Sequence, residues 1–177
     1  MFGTRISVDD AIAALSNAVK DIQQNYLTKV DAFNTHLDEC WAVQEELRYL
    51  AMYFIDGLIK HTQGCGWPGH RETLAKGFYA ACYRACASEN IEDQDHFIME
   101  LFARQCFYND GLSESIEYLS KIGDAQAKIV ETTVIVSKLF AKQCGHPDNP
   151  YYATIGAGAT TAIYLATERL FQSGLTA

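Results

Sequence analysis

Proline is scarce in this sequence, and its scarcity favours helices. The three prolines lie at positions 68, 147 and 150, so residues 1–67 and 69–146 contain none. Proline breaks a helix because it has no N–H donor and its ring clashes with the preceding turn. We therefore predict an all-α chain without strands.

Long apolar runs are also missing. The longest stretch without a charged residue, 149–167, contains Pro150, two glycines and several threonines, which is too polar for a bilayer span. Near the N-terminus, Arg5, Asp9 and Asp10 interrupt any apolar run, so we expect neither a signal peptide nor an anchor. A cytoplasmic or organelle-stromal location is the resulting expectation.

Positive charge is sparse as well. The chain has 14 Lys and Arg against 22 Asp and Glu, a net charge of −8, and no long run of like charge. A surface that neutralises phosphates needs clustered cations. We therefore expect no nucleic-acid partner.

The cysteines are numerous but lack a metal or redox spacing. None of the six forms a C-x-x-C pair, which excludes the zinc-ribbon and thioredoxin-type patterns. We interpret them as small buried side chains in a reducing compartment. With 177 residues, 49% of them hydrophobic, the chain is long enough to fold as one domain without disulfide bonds or a bound metal ion.

Apolar residues recur every three or four positions, which indicates amphipathic helices. The first helix is predicted over 8–25, and Ser7 followed by Asp10 resembles a capping box at its start. The pattern from Val30 to Leu58 is long for one helix and predicts a bend or break near Glu45 or Glu46. Further helices are predicted at 71–87, 91–107, 112–122, 129–143 and 162–171, with a loop at 62–70, a break at 89–90, a turn at 109–111 and a loop at 151–158.

Residue types suited to catalysis or metal binding occur without the required spacing. No nucleophile elbow or thiol-protease signature surrounds Cys82 or Cys86, so we do not expect an enzyme. A di-iron bundle needs two Glu-x-x-His pairs, whereas the acidic stretch around His96 has no second copy. A haem needs only one proximal ligand, and His96, before an aromatic and apolar run, is the candidate.

Four collinear segments resemble the phycobiliprotein family, with a length typical of its β-type chains. The segment 68–84 leads from Pro-Gly into Ala-Ala-Cys-Tyr-Arg, with 13 residues between Pro68 and Cys82, as in the family's chromophore region. The segments 36–38, 106–115 and 158–171 resemble family stretches in the same order. The resemblance implies a globin-like domain that harvests light through a linear tetrapyrrole (bilin).

That resemblance also implies roles for single residues. Cys82 would form the thioether to the pigment, and Arg84 and Lys76 would pair with its propionates. The family's carboxylate partner of the pyrrole nitrogens is replaced by Ala85, so Glu89 or another chain would have to supply that charge. Residues 1–26 would form an N-terminal helix before a core at 27–177, and its apolar face (Val8, Ile12, Leu15, Val19) would make an oligomer, with itself or with a different chain.

A second interpretation remains open. In it, the chain is a helical sensor or interaction domain that carries haem or no pigment, and Cys82 is an ordinary core residue. An absorption spectrum distinguishes these alternatives.

Overall fold

Seven α-helices make up most of the chain in the computed structural model, which describes residues 5–33, 37–63, 66–87 and 93–176. They are α1 (Val8–Phe33), α2 (Leu37–His61), α3 (Trp67–Ala87), α4 (Gln94–Ser113), α5 (Ile116–Ser120), α6 (Ala125–Gln143) and α7 (Pro150–Phe171). The prediction of an all-α single domain is confirmed, whereas the globin-like arrangement stays a prediction.

Side-chain caps determine where several helices begin. Ser7 Oγ accepts a hydrogen bond from the Asp10 N–H at 3.1 Å and donates to the Asp10 carboxylate, which confirms the predicted cap of α1. Asp124 caps α6 by accepting from the Ala127 N–H at 2.7 Å. Asn149 caps α7, and Pro150 occupies the first turn. These caps satisfy N–H groups that have no partner inside the helix.

Two short strands correct the expectation that the described chain has none. β1 (Arg5–Ser7) pairs in parallel with β2 (Gly174–Thr176), so the two ends of the chain lie side by side. The indole of Trp67 anchors this pair, because it is fully buried and its Nε1 donates to the Ser173 carbonyl at 2.7 Å. Three-residue strands are too short to leave an alternating pattern in the sequence.

Several predicted boundaries are wrong, because glycine and polar residues were interpreted as helix breakers. α4 continues through the predicted turn at 109–111, where Gly111 lets Leu139 of α6 approach to within 2.5 Å of the position a Cβ would occupy. α7 begins at Pro150, so the predicted loop at 151–158 is helical. α1 continues to Phe33, and α2 continues past Glu45 and Glu46. Glu89 and residues 34–36 lie outside the described ranges.

The N-terminal helix belongs to the core of its own chain. Leu15, Val19 and Ile22 of α1 are at most 5% exposed and pack with α2, α3 and α7. The prediction that this face meets another chain is therefore corrected for Leu15 and Val19, which their own chain covers, whereas Val8 and Ile12 are half-buried against the same core. The amphipathic pattern of a helix shows which face is buried. It does not show whether the element that covers this face belongs to the same chain. Oligomerisation itself stays a prediction.

Within the described ranges, no helix combines the length and the apolar character needed to cross a lipid bilayer.

The burial of α1 predicts a large effect of truncating its core residues. Leu15→Ala should lower the free energy of unfolding by about 3 kcal/mol, because it leaves a cavity in a packed interior. The control Ile116→Ala removes a side chain that is 67% exposed and should change it by less than about 0.5 kcal/mol. Urea unfolding measures both, and an unchanged stability of Leu15→Ala would contradict the core assignment.

Candidate functional site

The residues predicted to hold a pigment do not meet in one cleft. All three lie on α3, where Cys82 is 3% exposed and faces the core, while Arg84 is exposed. Lys76 is exposed too and pairs with Glu72 at 2.7 Å. Two residues along a helix correspond to a rotation of about 200°, so Arg84 projects away from the side that carries Cys82. The three residues therefore do not form one binding surface.

Cys82 does line a cavity, but a small one. The cavity lies between α1, α2 and α3 and has a volume of about 110 Å³. Sites for drug-sized molecules have about 300–1,000 Å³, so this cavity is smaller than the usual range for such a ligand. The lining residues are Ser16, Val19, Lys20, Gln23, Arg48, Cys82, Ala85 and Cys86.

The Cys82 thiol is also poorly suited to forming a thioether unaided. Burial raises its pKa to about 12, and the nearby Arg48 charge lowers it only in part. Because the thiolate is the nucleophile, a thiol with such a pKa reacts slowly at neutral pH. The interpretation of the cysteines as buried thiols is confirmed for Cys82 and Cys86, whereas Cys106 and Cys144 are only half-buried.

The described residues offer no metal centre. Among them, no cluster of three or more His, Cys, Asp or Glu side chains could hold an ion. His96 lies in the first turn of α4 and is exposed, so it does not face an enclosed haem-sized space. Glu89, the alternative carboxylate for a pigment, lies outside the described ranges.

A much larger space lies between α6 and α7. It is a half-open groove of about 840 Å³, with Phe54 and Leu58 of α2 also in its lining. Four of its apolar side chains remain 41–62% exposed: Ile129, Val130, Tyr164 and Leu165. Exposed apolar residues clustered in a concave surface are typical of binding sites.

The polar side chains of the groove are mostly occupied by the helices themselves. Thr132 and Thr133 donate their hydroxyls to the carbonyls of Lys128 and Ile129. Thr160 and Thr161 likewise donate to carbonyls four residues earlier. Since these hydroxyl protons are already used, the threonines present methyl groups and acceptor oxygens to a ligand.

Among the described residues that line the groove, one is charged, and it is a cation. Lys128 of α6 is exposed and forms no ion pair with any residue in the described ranges. Asp124, one turn earlier, uses its carboxylate to cap the helix. The groove therefore combines an apolar surface with a single ammonium group.

The sequence contained a signal for this groove that periodicity alone did not reveal. Ile129-Val130 and Tyr164-Leu165 are apolar pairs, and adjacent residues on a helix cannot both face one neighbour. Ile129 begins the helix predicted at 129–143, yet its side chain is 41% exposed. When a helix has apolar residues beyond the face that packs on the core, these residues indicate an additional contact surface.

A cluster of hydrogen-bonded polar side chains is buried between α2 and α4. Glu46 is 2% exposed, and its carboxylate accepts hydrogen bonds from the Tyr108 hydroxyl at 2.6 Å and from Arg104 Nε at 3.0 Å. Arg104 also pairs with Glu100 and lies over the Tyr49 ring, 5.4 Å from its centroid. Because both oxygens are engaged and Glu46 lines neither cavity, this cluster has a structural role.

No protein family model, curated protein or solved structure matches this chain. The functional argument therefore depends on the geometry of the sites themselves.

The Glu46 cluster predicts a pH dependence of stability. Burial raises the pKa of Glu46 from its ordinary 4.5 to about 7, with Tyr108 and Arg104 opposing the shift. A raised carboxyl pKa means that the fold favours the protonated form, so this contribution is complete below pH 4.5 and is lost as pH rises through about 7. The loss should reach at most about 3 kcal/mol.

Glu46→Gln should remove this loss, because the amide cannot ionise. Urea unfolding between acidic and mildly alkaline pH measures the difference between the variant and the parent protein. The control Glu117→Gln removes the same charge from an exposed side chain and should preserve the parent pH profile. A Glu46→Gln profile parallel to that of the parent would contradict the assignment.

Proposed function

We propose that this protein is a non-catalytic binding protein whose α6–α7 groove holds an elongated apolar molecule that ends in a carboxylate. The observation that carries the proposal is the combination of about 840 Å³ of apolar space with one unpaired lysine, Lys128. Both features lie on the same surface. The apolar space would hold the hydrocarbon body of the ligand, and Lys128 would pair with its carboxylate.

The size and chemistry of the groove support the apolar body of the ligand. Its volume falls within the range of about 300–1,000 Å³ that small-molecule sites occupy. The threonine hydroxyls along it donate to the backbone, so few donors remain for a polar ligand. Burying polar groups of a ligand without partners would cost free energy, whereas burying hydrocarbon is favourable.

The charged residues of α6 support a ligand with an anionic end. The chain is acidic overall at −8, yet α6 carries three lysines and one glutamate. An anion at the mouth of the groove would meet the Lys128 ammonium, a cation on the surface of a chain that is acidic overall. A hydrogen bond from a charged donor to a carboxylate is stronger than a neutral one.

Two ligands share this chemistry. A long-chain fatty acid has one carboxylate, and a linear tetrapyrrole has an apolar ring system with propionates. The tetrapyrrole would preserve the pigment-binding function that the sequence resemblance implies, but in a non-covalent form and away from Cys82. If the ligand is a fatty acid instead, the protein carries no pigment, as in the second interpretation of the sequence.

Fluorescence titration with a dansylated long-chain fatty acid, and absorption titration with biliverdin, test the proposal. Lys128→Gln should weaken binding of the carboxylate about fivefold to tenfold, and should leave the matched long-chain alcohol unaffected. The control Lys138→Gln removes an exposed lysine of the same helix that does not line the groove. Loss of alcohol binding together with carboxylate binding would contradict the role of Lys128.

A plugging variant tests the apolar body independently. Thr161→Trp places a large ring in the groove from an exposed position on α7, and should abolish binding of both ligands. The control Thr154→Trp, also exposed on α7, should bind like the parent. Failure of the parent to bind either ligand would overturn the proposal, as would a dimer in sedimentation that Thr161→Trp dissociates.

Covalent attachment has its own test. Protein expressed with a bilin source and run on a denaturing gel containing zinc should show no fluorescence, because the buried Cys82 thiol is unreactive. A fluorescent band that disappears in Cys82→Ala would establish the covalent pigment site and contradict this part of the proposal.

A further inference from the structure

Helix α4 exposes three large apolar side chains on one face. The exposed fractions are 51% for Ile98, 70% for Met99 and 66% for Phe102. Successive residues of a helix are rotated by about 100°, so these three lie within about 100° of one another. The buried residues of α4 lie on the opposite side, toward the core. The exposed face is therefore apolar without being needed for the packing of α4 on its own chain.

A carboxylate lies at each end of this apolar face. Asp95 and Asp110 are both exposed. By helical rotation Asp95 lies about 20° from Phe102, and Asp110 lies about 20° from Met99. The two aspartates are 15 residues apart, which corresponds to about 22 Å along the helix. We call this surface, formed by Asp95, Ile98, Met99, Phe102 and Asp110, the α4 stripe.

The stability of α4 does not account for the acidic group at its C-terminal end. Asp110 lies in the last turn, where free carbonyl groups carry partial negative charge and a carboxylate is unfavourable. No basic residue in that turn offsets it. Within the described ranges, neither Asp95 nor Asp110 forms an ion pair. A cation from a partner would provide the interaction that the helix itself does not.

The charges that α4 places on the stripe have one sign. The helix contains no lysine, and its one arginine, Arg104, is rotated by about 200° from Phe102. Arg104 pairs there with Glu46 and Glu100. The stripe therefore has an apolar centre and acidic ends.

We propose that the α4 stripe docks an amphipathic helix of a partner protein, with basic residues at both ends of its apolar face, about 22 Å apart. Methionine and aromatic residues are enriched at the centres of protein interfaces, and Met99 and Phe102 occupy that position here. The lysines or arginines of the partner would pair with Asp95 and Asp110 at the rim. No residue of the stripe lines the α6–α7 groove, so this surface is independent of the proposed function.

The charges of the stripe favour this partner over a second copy of the chain and over a lipid surface. In an antiparallel pair of stripes, Asp95 of one copy would face Asp110 of the other, and in a parallel pair each aspartate would face its counterpart. Like charges placed opposite each other disfavour both arrangements. Anionic lipid headgroups would be repelled in the same way.

Fluorescence anisotropy with a labelled synthetic helix tests the proposal. The probe is a peptide of about 18 residues with leucines along one face, lysines at both ends of that face and alanines elsewhere. It should bind the full chain saturably, and more weakly as salt is added. The matched peptide with glutamates in place of the lysines should bind at least about tenfold more weakly.

Variants of exposed residues locate the binding surface. Phe102→Ser should weaken binding of the lysine peptide about tenfold, because it removes the central apolar contact. The control Leu165→Ser removes an apolar side chain of similar exposure from the α6–α7 groove and should bind like the parent. Asp110→Asn should weaken binding about threefold, whereas Asp148→Asn, exposed in the connection 144–149, should not.

Four results would overturn the proposal. The first is the absence of saturable binding of the lysine peptide up to about 0.1 mM. The second is a loss of binding in Leu165→Ser but not in Phe102→Ser, which would place the peptide in the groove. The third is a dimer in sedimentation that Phe102→Ser dissociates. The fourth is binding to phosphatidylserine vesicles that Phe102→Ser abolishes, which would assign the stripe to a membrane.

Discussion

The close contact of α6 with α7 is the constraint from which the groove follows. At Gly156, a Cβ would lie 2.9 Å from the Cβ of Phe140, so only glycine allows this approach. Phe140 is fully buried at the contact. The two helices are joined by the short connection 144–149, and they therefore meet tightly near that connection. The groove lies further along both helices, at 125–133 and 160–165.

The same stretch of α7 also packs against α1. At Gly158, a Cβ would lie 2.8 Å from the Tyr26 hydroxyl oxygen of α1. These two glycines are two residues apart, about 200° around the helix, and thus serve two neighbouring helices, which explains why a segment with loop-like composition is helical. Asn149 and Pro150 start the helix, and tertiary packing then outweighs the low helix propensity of glycine, about 1 kcal/mol per residue. Composition alone cannot distinguish a glycine needed for contact from one needed for a turn.

Features set by local chemistry could be predicted from the sequence, and features set by neighbours could not. The Ser7 cap of α1 and its inward face at Leu15 and Val19 depend on residues within the same helix, and both were predicted correctly. The partner of that face was not, because covering it required α2, α3 and α7. The candidate pigment residues show a further limit. The helical rotation between Cys82 and Arg84 was available from their spacing, whereas the burial of Cys82 required the whole fold.

The placement of carboxylates shows why some lysines of this acidic chain are paired and others are not. Lys60, Lys76 and Lys121 each pair with a carboxylate four residues earlier. Lys128 has Asp124 at that spacing, but the helix cap occupies this carboxylate. Lys20 has Ser16 at the same spacing, and in the described ranges neither Lys20 nor Lys128 joins an ion pair. Because a surface ion pair contributes at most about 1 kcal/mol, leaving a lysine unpaired costs the fold little. Lys128, which lines the groove, can therefore stay without an ion pair in the described ranges at little cost in stability.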